Sequence, residues 1–119
     1  ALDYAKFLQM YLNGGILNGN RILSPSTIRT IMANSFDNVW NSGNHHYGLA
    51  FEVNNEKAIV DGGLGNEGTF SWGGYFNTNY FADPLDQVIG IILKQTRGIP
   101  GEPSKNLLKR MIFTSVVDY

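Results

Sequence analysis

The segment Trp72-Gly73-Gly74-Tyr75 differs from an ordinary strand sequence, because two adjacent glycines follow a tryptophan. Glycines inside a strand weaken it and leave its backbone without side-chain cover. Such a stretch suits close approach by a ligand or by another backbone, and a β-bulge beside a core tryptophan would account for it equally well. The residues alone leave these two interpretations open.

Residues 63–68 match the dinucleotide-binding pattern G-x-G-x-x-G literally. That motif needs a strand before it and a helix after it, so that the helix N-terminus meets the pyrophosphate. The residues that follow, 69–72, favour a strand instead of a helix. We therefore interpret residues 63–68 as a turn or strand connection, and we expect no organic cofactor.

The pair His45-His46 is a second candidate, because imidazoles bind metal ions. Adjacent residues of an extended segment point to opposite sides, so both cannot easily bind one ion. No spacing near them resembles H-E-x-x-H. We predict that the pair lies in a surface loop and that the chain holds no metal. The chain also lacks cysteine, which removes disulfide frameworks, zinc–thiolate sites and cysteine nucleophiles.

Two further patterns are typical of serine chemistry. Residues 69–73 nearly match the nucleophile elbow G-x-S-x-G, but Thr69 replaces the first glycine and no strand-to-helix turn is expected there. Tyr11-Leu12-Asn13 matches Tyr-x-Asn at the end of an amphipathic helix, where Tyr11 belongs to the apolar face and core packing is the better interpretation. No Ser-x-x-Lys occurs, so a serine nucleophile with its lysine base is absent from these 119 residues.

The composition is that of a folded domain or a piece of one. Apolar residues make up 43% of the 119 residues and charged residues 16%, which excludes an ordinary disordered chain. The net charge of -1 shows no excess of positive charge of the kind that binds nucleic acid or an anionic membrane. The apolar run over residues 88–93 is too short to span a bilayer. We expect neither nucleic acid nor a membrane as a partner, and the sequence does not indicate a compartment.

The elements that must position these residues follow from the hydrophobic periodicity. We predict a helical pair within residues 1–35, interrupted at Gly14-Gly15, and a closing helix over residues 104–117. The region between them, residues 47–95, is expected to form strands, and residues 87–95 are apolar on both faces, which is typical of a central, covered strand. The individual strands are expected at residues 47–53, 57–60, 69–74, 78–82 and 87–95. The chain is thus predicted to be one partial domain over residues 1–119, in the α+β class, with an antiparallel sheet flanked by helices.

The segment from Gly68 to Pro84, GTFSWGGYFNTNYFADP, followed by residues 87–95, resembles the C-terminal part of the serine β-lactamase-related family. That family includes class C β-lactamases, family VIII esterases, D-aminopeptidase-like enzymes and low-molecular-weight penicillin-binding proteins. Residues 3–15 and 20–27 look like the helix pair that precedes the strands there. The resemblance covers nearly the whole chain in the right order, and it implies the C-terminal portion of a β-lactamase/transpeptidase-like fold.

The resemblance also implies a reaction, acyl transfer through a serine ester. In this family a Ser-x-x-Lys nucleophile and a Tyr-x-Asn-like tyrosine act with a third motif, Lys-Thr-Gly or a substitute such as Trp-Gly-Gly, on the strand that lines the cleft. By resemblance, Trp72, Gly73 and Gly74 occupy that third position and bind substrate, and the N–H of Tyr75 is one oxyanion donor. Trp72 in place of lysine removes a cation that could hold a substrate carboxylate, which favours esterase-like or peptidase-like substrates over penicillins.

The first two motifs of the family lie upstream of the part that this chain resembles. By that alignment Tyr11-Leu12-Asn13 is not the second motif, because it falls in the helix after it. The expected partners are a small-molecule amide or ester and the missing N-terminal part of the same fold, and the chain alone is expected to be inactive. Two alternatives stay open: a non-catalytic binding or assembly module of the same fold, and a truncated chain that folds by self-association. A full-length chain with a signal peptide would be periplasmic or secreted.

Overall fold

The computed structural model describes residues 1–36, 39, 43–58, 64–99 and 102–116. Five strands form an antiparallel sheet in the order β3-β4-β5-β6-β7, and a two-residue hairpin, β1-β2, connects the first two helices. This architecture confirms the predicted α+β class with an antiparallel sheet and flanking helices. The elements in chain order are α1 (Leu2–Leu12), β1 (Ile16–Leu17), β2 (Asn20–Arg21), α2 (Pro25–Met32), β3 (His45–Tyr47), β4 (Glu52–Asn54), β5 (Phe70–Gly73), β6 (Asn79–Asp83), β7 (Val88–Ile92) and α3 (Ser104–Ser115).

The ends of the helical pair follow local chemistry. Gly15 has a φ of +97°, and its N–H donates to the carbonyl oxygen of Met10 at 2.8 Å, which ends α1. A Cβ at Gly15 would overlap the carbonyl oxygen of Leu23, so the close approach of the chain after β2 also requires glycine. The hydroxyl of Ser24 accepts the N–H of Thr27 at 3.0 Å and caps α2.

One face of the sheet packs against α1. Tyr11 lies at the centre of this core, with its ring 5.1 Å from that of Phe51 and 5.9 Å from that of Phe70. Leu8 of α1 is fully buried in the same cluster. Tyr11 is therefore a core residue, as its position on the apolar face of the helix indicates.

The opposite face of the sheet packs against α3. Phe81 of β6 is fully buried, and its ring lies 5.4 Å from that of Phe113. Gly90 stands opposite Phe81 across the β6-β7 pair, and a Cβ there would overlap the Phe81 ring. Glycine at this position thus makes room for the aromatic ring beneath α3.

Strand β7 is covered on both faces, since α1 and α3 both contact it. The prediction that it is a central strand is nevertheless wrong for the structure described here: β7 lies at one end of the sheet order and pairs only with β6. A continuous run of apolar residues indicates that both faces of a strand are buried, but it does not indicate whether another strand pairs with each of its edges.

The strand expected over residues 47–53 is wrong, because the chain forms β3 and β4 with a turn between them. The N–H of Gly48 donates to the carbonyl oxygen of Phe51 at 2.9 Å, and the N–H of Leu49 donates to that of Ile31 in α2, also at 2.9 Å. A Cβ at Gly48 would overlap the Ile31 carbonyl oxygen. Close packing of this turn on α2 therefore breaks the strand.

Two smaller expectations differ as well. Of the strand expected at residues 57–60, residues 57–58 form a turn, and residues 59–60 lie outside the described part of the chain. Helix α3 ends at Ser115, and residue 117 is likewise outside the described part. Within the described ranges no helix is long and apolar enough to cross a membrane.

Asp83 fixes the end of β6 through a buried network. Its carboxylate accepts the N–H of Asn66 at 3.0 Å, the hydroxyl of Thr69 at 2.5 Å, and the N–H groups of Leu85 and Asp86 at 2.9 and 2.8 Å. Burial by itself would raise the pKa of Asp83, but these hydrogen bonds outweigh it and hold that pKa below its ordinary value. The carboxylate thus ties the loop before β5 to the turn after β6.

Asp83→Asn is expected to lower the free energy of unfolding at neutral pH by about 2–4 kcal/mol, because the new amide presents N–H groups to N–H donors. The pKa of Asp83 is lower in the folded protein than in the unfolded chain, so the ionised carboxylate stabilises the fold. This contribution is complete above the unfolded pKa of about 4, and it is lost as the pH falls through the folded pKa. The difference between wild type and variant should therefore shrink in acid. Urea unfolding followed by circular dichroism at several pH values measures it.

The exposed Asp3→Asn is the matched control, with an expected change below about 0.5 kcal/mol. Equal stability of Asp83→Asn and wild type at neutral pH would contradict the role given to the buried carboxylate.

Candidate functional site

Residues 72–74 lie where β5 runs into a tight hairpin toward β6. The N–H of Gly74 donates to the carbonyl oxygen of Thr78 at 2.9 Å, and the N–H of Asn77 donates to that of Gly74 at 3.1 Å. Asn77 has a φ of +63°, the left-handed conformation that closes a three-residue hairpin loop. Tyr75 is therefore the first of the three loop residues and the second position of the turn that begins at Gly74.

The β5-β6 pairing is regular through the glycine segment. Strand β5 pairs with β6 in unbroken register over residues 70–73, so β5 contains no bulge there. Trp72 is 41% exposed. The interpretation of this segment as a bulge beside a core tryptophan is therefore wrong.

One edge of β5 is open beyond Ser71. Strand β4 pairs only with Phe70 and Ser71 of β5, since β4 begins at Glu52 and the preceding turn leads the chain away. On the other side β6 stays paired as far as Gly73. The edge of β5 that faces away from β6 consequently has no strand neighbour, within the described ranges, from Trp72 onward.

Backbone alternation determines which groups point to this open edge. The N–H of Gly74 points toward β6, and the peptide groups of neighbouring residues in an extended strand point the opposite way. Gly73 therefore presents its N–H and C=O to the open edge. The N–H of Tyr75 has no hydrogen-bond partner among the described residues. These backbone groups are available to a ligand.

Packing against β6 also requires glycine, or a very small side chain, at positions 73 and 74. A Cβ at Gly74 would overlap the hydroxyl of Thr78, and one at Gly73 would lie 3.3 Å from the Asn79 amide nitrogen. That amide donates to the carbonyl oxygen of Trp72 at 2.8 Å and holds the strand end in place. The segment is thus both bare on one edge and tightly packed toward β6.

An open groove of about 390 Å³ runs beside the segment. Three of the four predicted site residues, Trp72, Gly73 and Gly74, line it, and Tyr75 follows them in the chain. The Tyr75 side chain is 65% exposed and lies beneath the guanidinium of Arg97, 4.6 Å from its ring centroid. The other lining residues are Tyr47, Glu52, Ser71, Asn77, Thr78, Asn79, Glu102 and Lys105.

Trp72 lines both this groove and a more apolar cavity of about 260 Å³ on the α1 side of the sheet. Its indole meets the Tyr47 ring edge to face at 5.2 Å. Tyr4 and Tyr80 line the second cavity, with ring centroids 4.7 Å apart, and burial together with the neighbouring Tyr4 raises the pKa of Tyr80. Tyr80 is therefore a neutral group at physiological pH.

Sequence reasoning missed the charged groups of the groove. The hydroxyl of Tyr47 donates to Glu52 at 3.0 Å. Lys94 forms an ion pair with Glu102 at 2.8 Å, and hydrogen bonds from Lys94 and from the Ser104 hydroxyl hold the pKa of Glu102 below its ordinary value. These residues come from β3, β4 and the two sides of the loop before α3, so no local pattern could join them.

The groove can bind an extended chain through the open strand edge, and it can donate an amide to a carbonyl oxygen. It holds no activated nucleophile among its described residues. Ser71, the serine that lines it, sits inside β5 instead of at a strand-to-helix turn, and its hydroxyl has no hydrogen-bonded base. The near match to a nucleophile elbow is thus a strand sequence.

The histidine pair lies in strand β3, so its prediction as a surface loop is wrong. His46 Nε2 lies 2.9 Å from the carbonyl oxygen of Met32, and His45 Nδ1 lies 3.0 Å from the Asn44 side-chain oxygen. The two rings thus make separate contacts on a paired strand. In the part of the chain that the structure describes, no three metal-binding side chains come together.

The described part of the G-x-G-x-x-G pattern is a turn that leads into β5, and Gly63 lies outside the described residues. Asn66 turns back to bond the buried Asp83 carboxylate, and no helix follows. The interpretation of residues 64–68 as a strand connection is confirmed.

Amide hydrogen exchange tests the geometry of the hairpin. The Tyr75 amide, which has no partner among the described residues, should exchange close to the rate of an unstructured peptide. The Gly74 amide, bonded to Thr78, should be protected at least about tenfold more strongly. Exchange followed by heteronuclear NMR measures both residues in one experiment, and protection of Tyr75 equal to that of Gly74 would contradict the open edge.

Comparison with known proteins agrees with this geometry at the level of the fold. No family model matches the chain. Two proteins of Mycobacterium tuberculosis, Uncharacterized protein MT1414 and Protein Rv1367c, are each 29% identical to it in an alignment of length 104 that covers 78% of this chain and 26% of theirs. The crystal structure of a penicillin-binding protein homolog from Caulobacter crescentus superposes with a TM-score of 0.68 at 21% identity, over 92% of this chain and 30% of that one. The chain thus spans less than a third of these proteins, and it has a penicillin-binding protein/β-lactamase-like fold.

Proposed function

We propose that this chain supplies the oxyanion strand of an acyl-transfer cleft in a β-lactamase-related serine hydrolase. The observation that carries the proposal is the open edge of β5 at residues 72–74, next to a groove and to the N–H of Tyr75, which has no hydrogen-bond partner in the described part of the chain. The likeness of the fold to that of a penicillin-binding protein homolog supports it. Trp72-Gly73-Gly74 takes the place of the family's third motif in this proposal.

The strand contributes to the reaction through its backbone. An extended acyl substrate pairs with the N–H and C=O of Gly73 along the open edge. The carbonyl oxygen of the scissile bond accepts the N–H of Tyr75, and this hydrogen bond strengthens as negative charge develops on that oxygen. A preorganised donor of this kind contributes roughly 10²–10³ in rate in other hydrolases.

The attacking group comes from outside the chain in this proposal. A serine hydroxyl of an N-terminal segment loses its proton to a neighbouring base and attacks the acyl carbon. The bond to the alcohol or amine then breaks, the leaving group takes up the proton, and water hydrolyses the resulting serine ester. The N–H of that serine is the second oxyanion donor. Strand β7, which is covered on both faces, pairs with β6 alone among the described strands, and its other edge suits a further strand from the same segment.

The proposed substrate class is a small-molecule amide or ester. In the Lys-Thr-Gly form of the third motif, the lysine of the strand could bind a substrate carboxylate. Trp72 takes the place of that lysine and offers an indole instead of a cation. Lys105 of α3 lines the groove as well and has no ion pair among the described residues. The groove therefore combines an aromatic ring and a cation with the carboxylates of Glu52 and Glu102.

The matched pair Tyr75→Pro and Tyr75→Ala tests the oxyanion donor. Proline removes the N–H and suits the second position of a turn, whereas alanine removes the same ring and keeps the N–H. In the polypeptide that also includes the residues encoded upstream of Ala1, Tyr75→Pro should lower kcat for p-nitrophenyl acetate by about 10²–10³. Tyr75→Ala should change it by less than about tenfold, and the 119-residue chain alone should show no turnover.

Three results would overturn the proposal. The first is equal activity of Tyr75→Pro and Tyr75→Ala, and the second is hydrolysis by the 119-residue chain itself. The third is a longer polypeptide that hydrolyses neither p-nitrophenyl acetate nor nitrocefin and forms no serine adduct with a fluorophosphonate. That last result would favour the non-catalytic binding module of the same fold.

A further inference from the structure

Lys109 is a buried cation that forms no ion pair with any residue that the structure describes. The residue is 6% exposed, and its ammonium lies 5.4 Å from the centroid of the Phe81 ring. It has no hydrogen bond or ion pair among the described residues. Glu52 and Asp83 attract it only from beyond ion-pair distance. A buried ammonium in this position is costly unless an anion compensates it.

The pKa of Lys109 agrees with this setting. Burial, and secondarily the nearby Lys105, lower that pKa to about 8, against the smaller opposing effect of Glu52 and Asp83. The side chain still carries most of its charge at neutral pH. It is therefore a protonated, poorly solvated group that would gain from an anionic neighbour.

Lys109 lines a cavity of about 240 Å³ between α3 and the strands β3 and β4. This cavity is distinct from the glycine-lined groove, although Glu52 and Lys105 line both. Arg110 and Asn106 of α3 and His45 of β3 contribute further polar groups to its wall, so most of the lining groups are hydrogen-bond donors or cations.

The charges of the cavity do not balance. Three of its described lining residues are cations at neutral pH (Lys105, Lys109 and Arg110), and Glu52 is the one carboxylate among those described residues. Glu52 already accepts the Tyr47 hydroxyl at 3.0 Å. Three positive charges less one negative charge leave an excess of about two.

We propose that this cavity is a binding site for a dianionic oxyanion, a phosphate ion or a phosphate monoester, held by Lys109 and Arg110. A dianion matches the excess charge, and the ammonium and the guanidinium fork supply charge-assisted hydrogen bonds to its oxygens. The site goes beyond the proposed acyl transfer and does not depend on it, because its two principal residues lie outside the groove beside β5.

Isothermal titration calorimetry of the whole chain with inorganic phosphate, at neutral pH and low ionic strength, tests the site. The expected result is saturable binding of one phosphate per chain. Lys109→Met, which keeps the length of the apolar stem and removes the charge, should weaken binding at least about tenfold. Arg110→Gln should weaken it in the same direction. Lys57→Met, an exposed lysine outside the cavity, should leave it unchanged.

The folding of the variants is checked by circular dichroism and urea unfolding. Lys109→Met should be at least as stable as wild type without phosphate, because it removes a buried charge that forms no ion pair within the described ranges. Should it fail to fold, the exposed Arg110→Gln decides the outcome. A matching titration with phosphoserine distinguishes a phosphate monoester from free phosphate as the better ligand.

Three outcomes would overturn the proposal. The first is no saturation by phosphate at up to about 10 mM, a range in which even weak ion binding is measurable. The second is a folded Lys109→Met or Arg110→Gln that binds as tightly as wild type. The third is acetate binding as tight as phosphate binding, which would remove the preference for a dianion.

Discussion

The structure depends on how the chain enters β4. The turn at residues 48–51 is bonded to the end of α2, and Gly48 approaches the Ile31 carbonyl oxygen too closely for any side chain. Strand β4 therefore starts at Glu52 and reaches only the first half of β5. Because β4 pairs with only part of β5, backbone N–H and C=O groups of β5 can form hydrogen bonds with a ligand or with another segment. One packing contact thus creates the open edge that the proposed function uses.

The rest of the fold keeps that edge in a defined position. The Asn79 amide holds the carbonyl oxygen of Trp72, so the open strand end cannot drift from β6. Asp83 binds the loop before β5 to the turn after β6 through a buried carboxylate. Phe81 packs between the sheet and α3 in the space that Gly90 leaves. A rigid donor costs no reorganisation when a ligand arrives, which is what a site for developing negative charge requires.

Local sequence patterns predicted the elements whose determinants lie close together in the chain. The caps at Gly14-Gly15 and Ser24-Pro25 and the alternation around residues 69–83 indicated α1, α2, β5 and β6. The break at Gly48, the edge position of β7 and the strand character of His45-His46 could not be predicted, because contacts distant in sequence decide them. The bare Trp72-Gly73-Gly74 backbone was identified from two adjacent glycines in a strand sequence. By contrast, Glu52, Lys105 and Lys109 line a common cavity only when α3 packs on the sheet.

The central claim is that the backbone beside Trp72 stabilises the oxygen of a reacting acyl group. The most direct measurement is a crystal structure of the longer polypeptide, with the upstream segment present, after reaction with a phosphonate that mimics the tetrahedral intermediate. We expect the phosphonyl oxygen about 2.7–3.1 Å from the Tyr75 nitrogen, with the inhibitor chain along the edge of β5. An adduct formed elsewhere, or a protein strand paired along residues 72–74 so that no amide meets the inhibitor, would contradict the account.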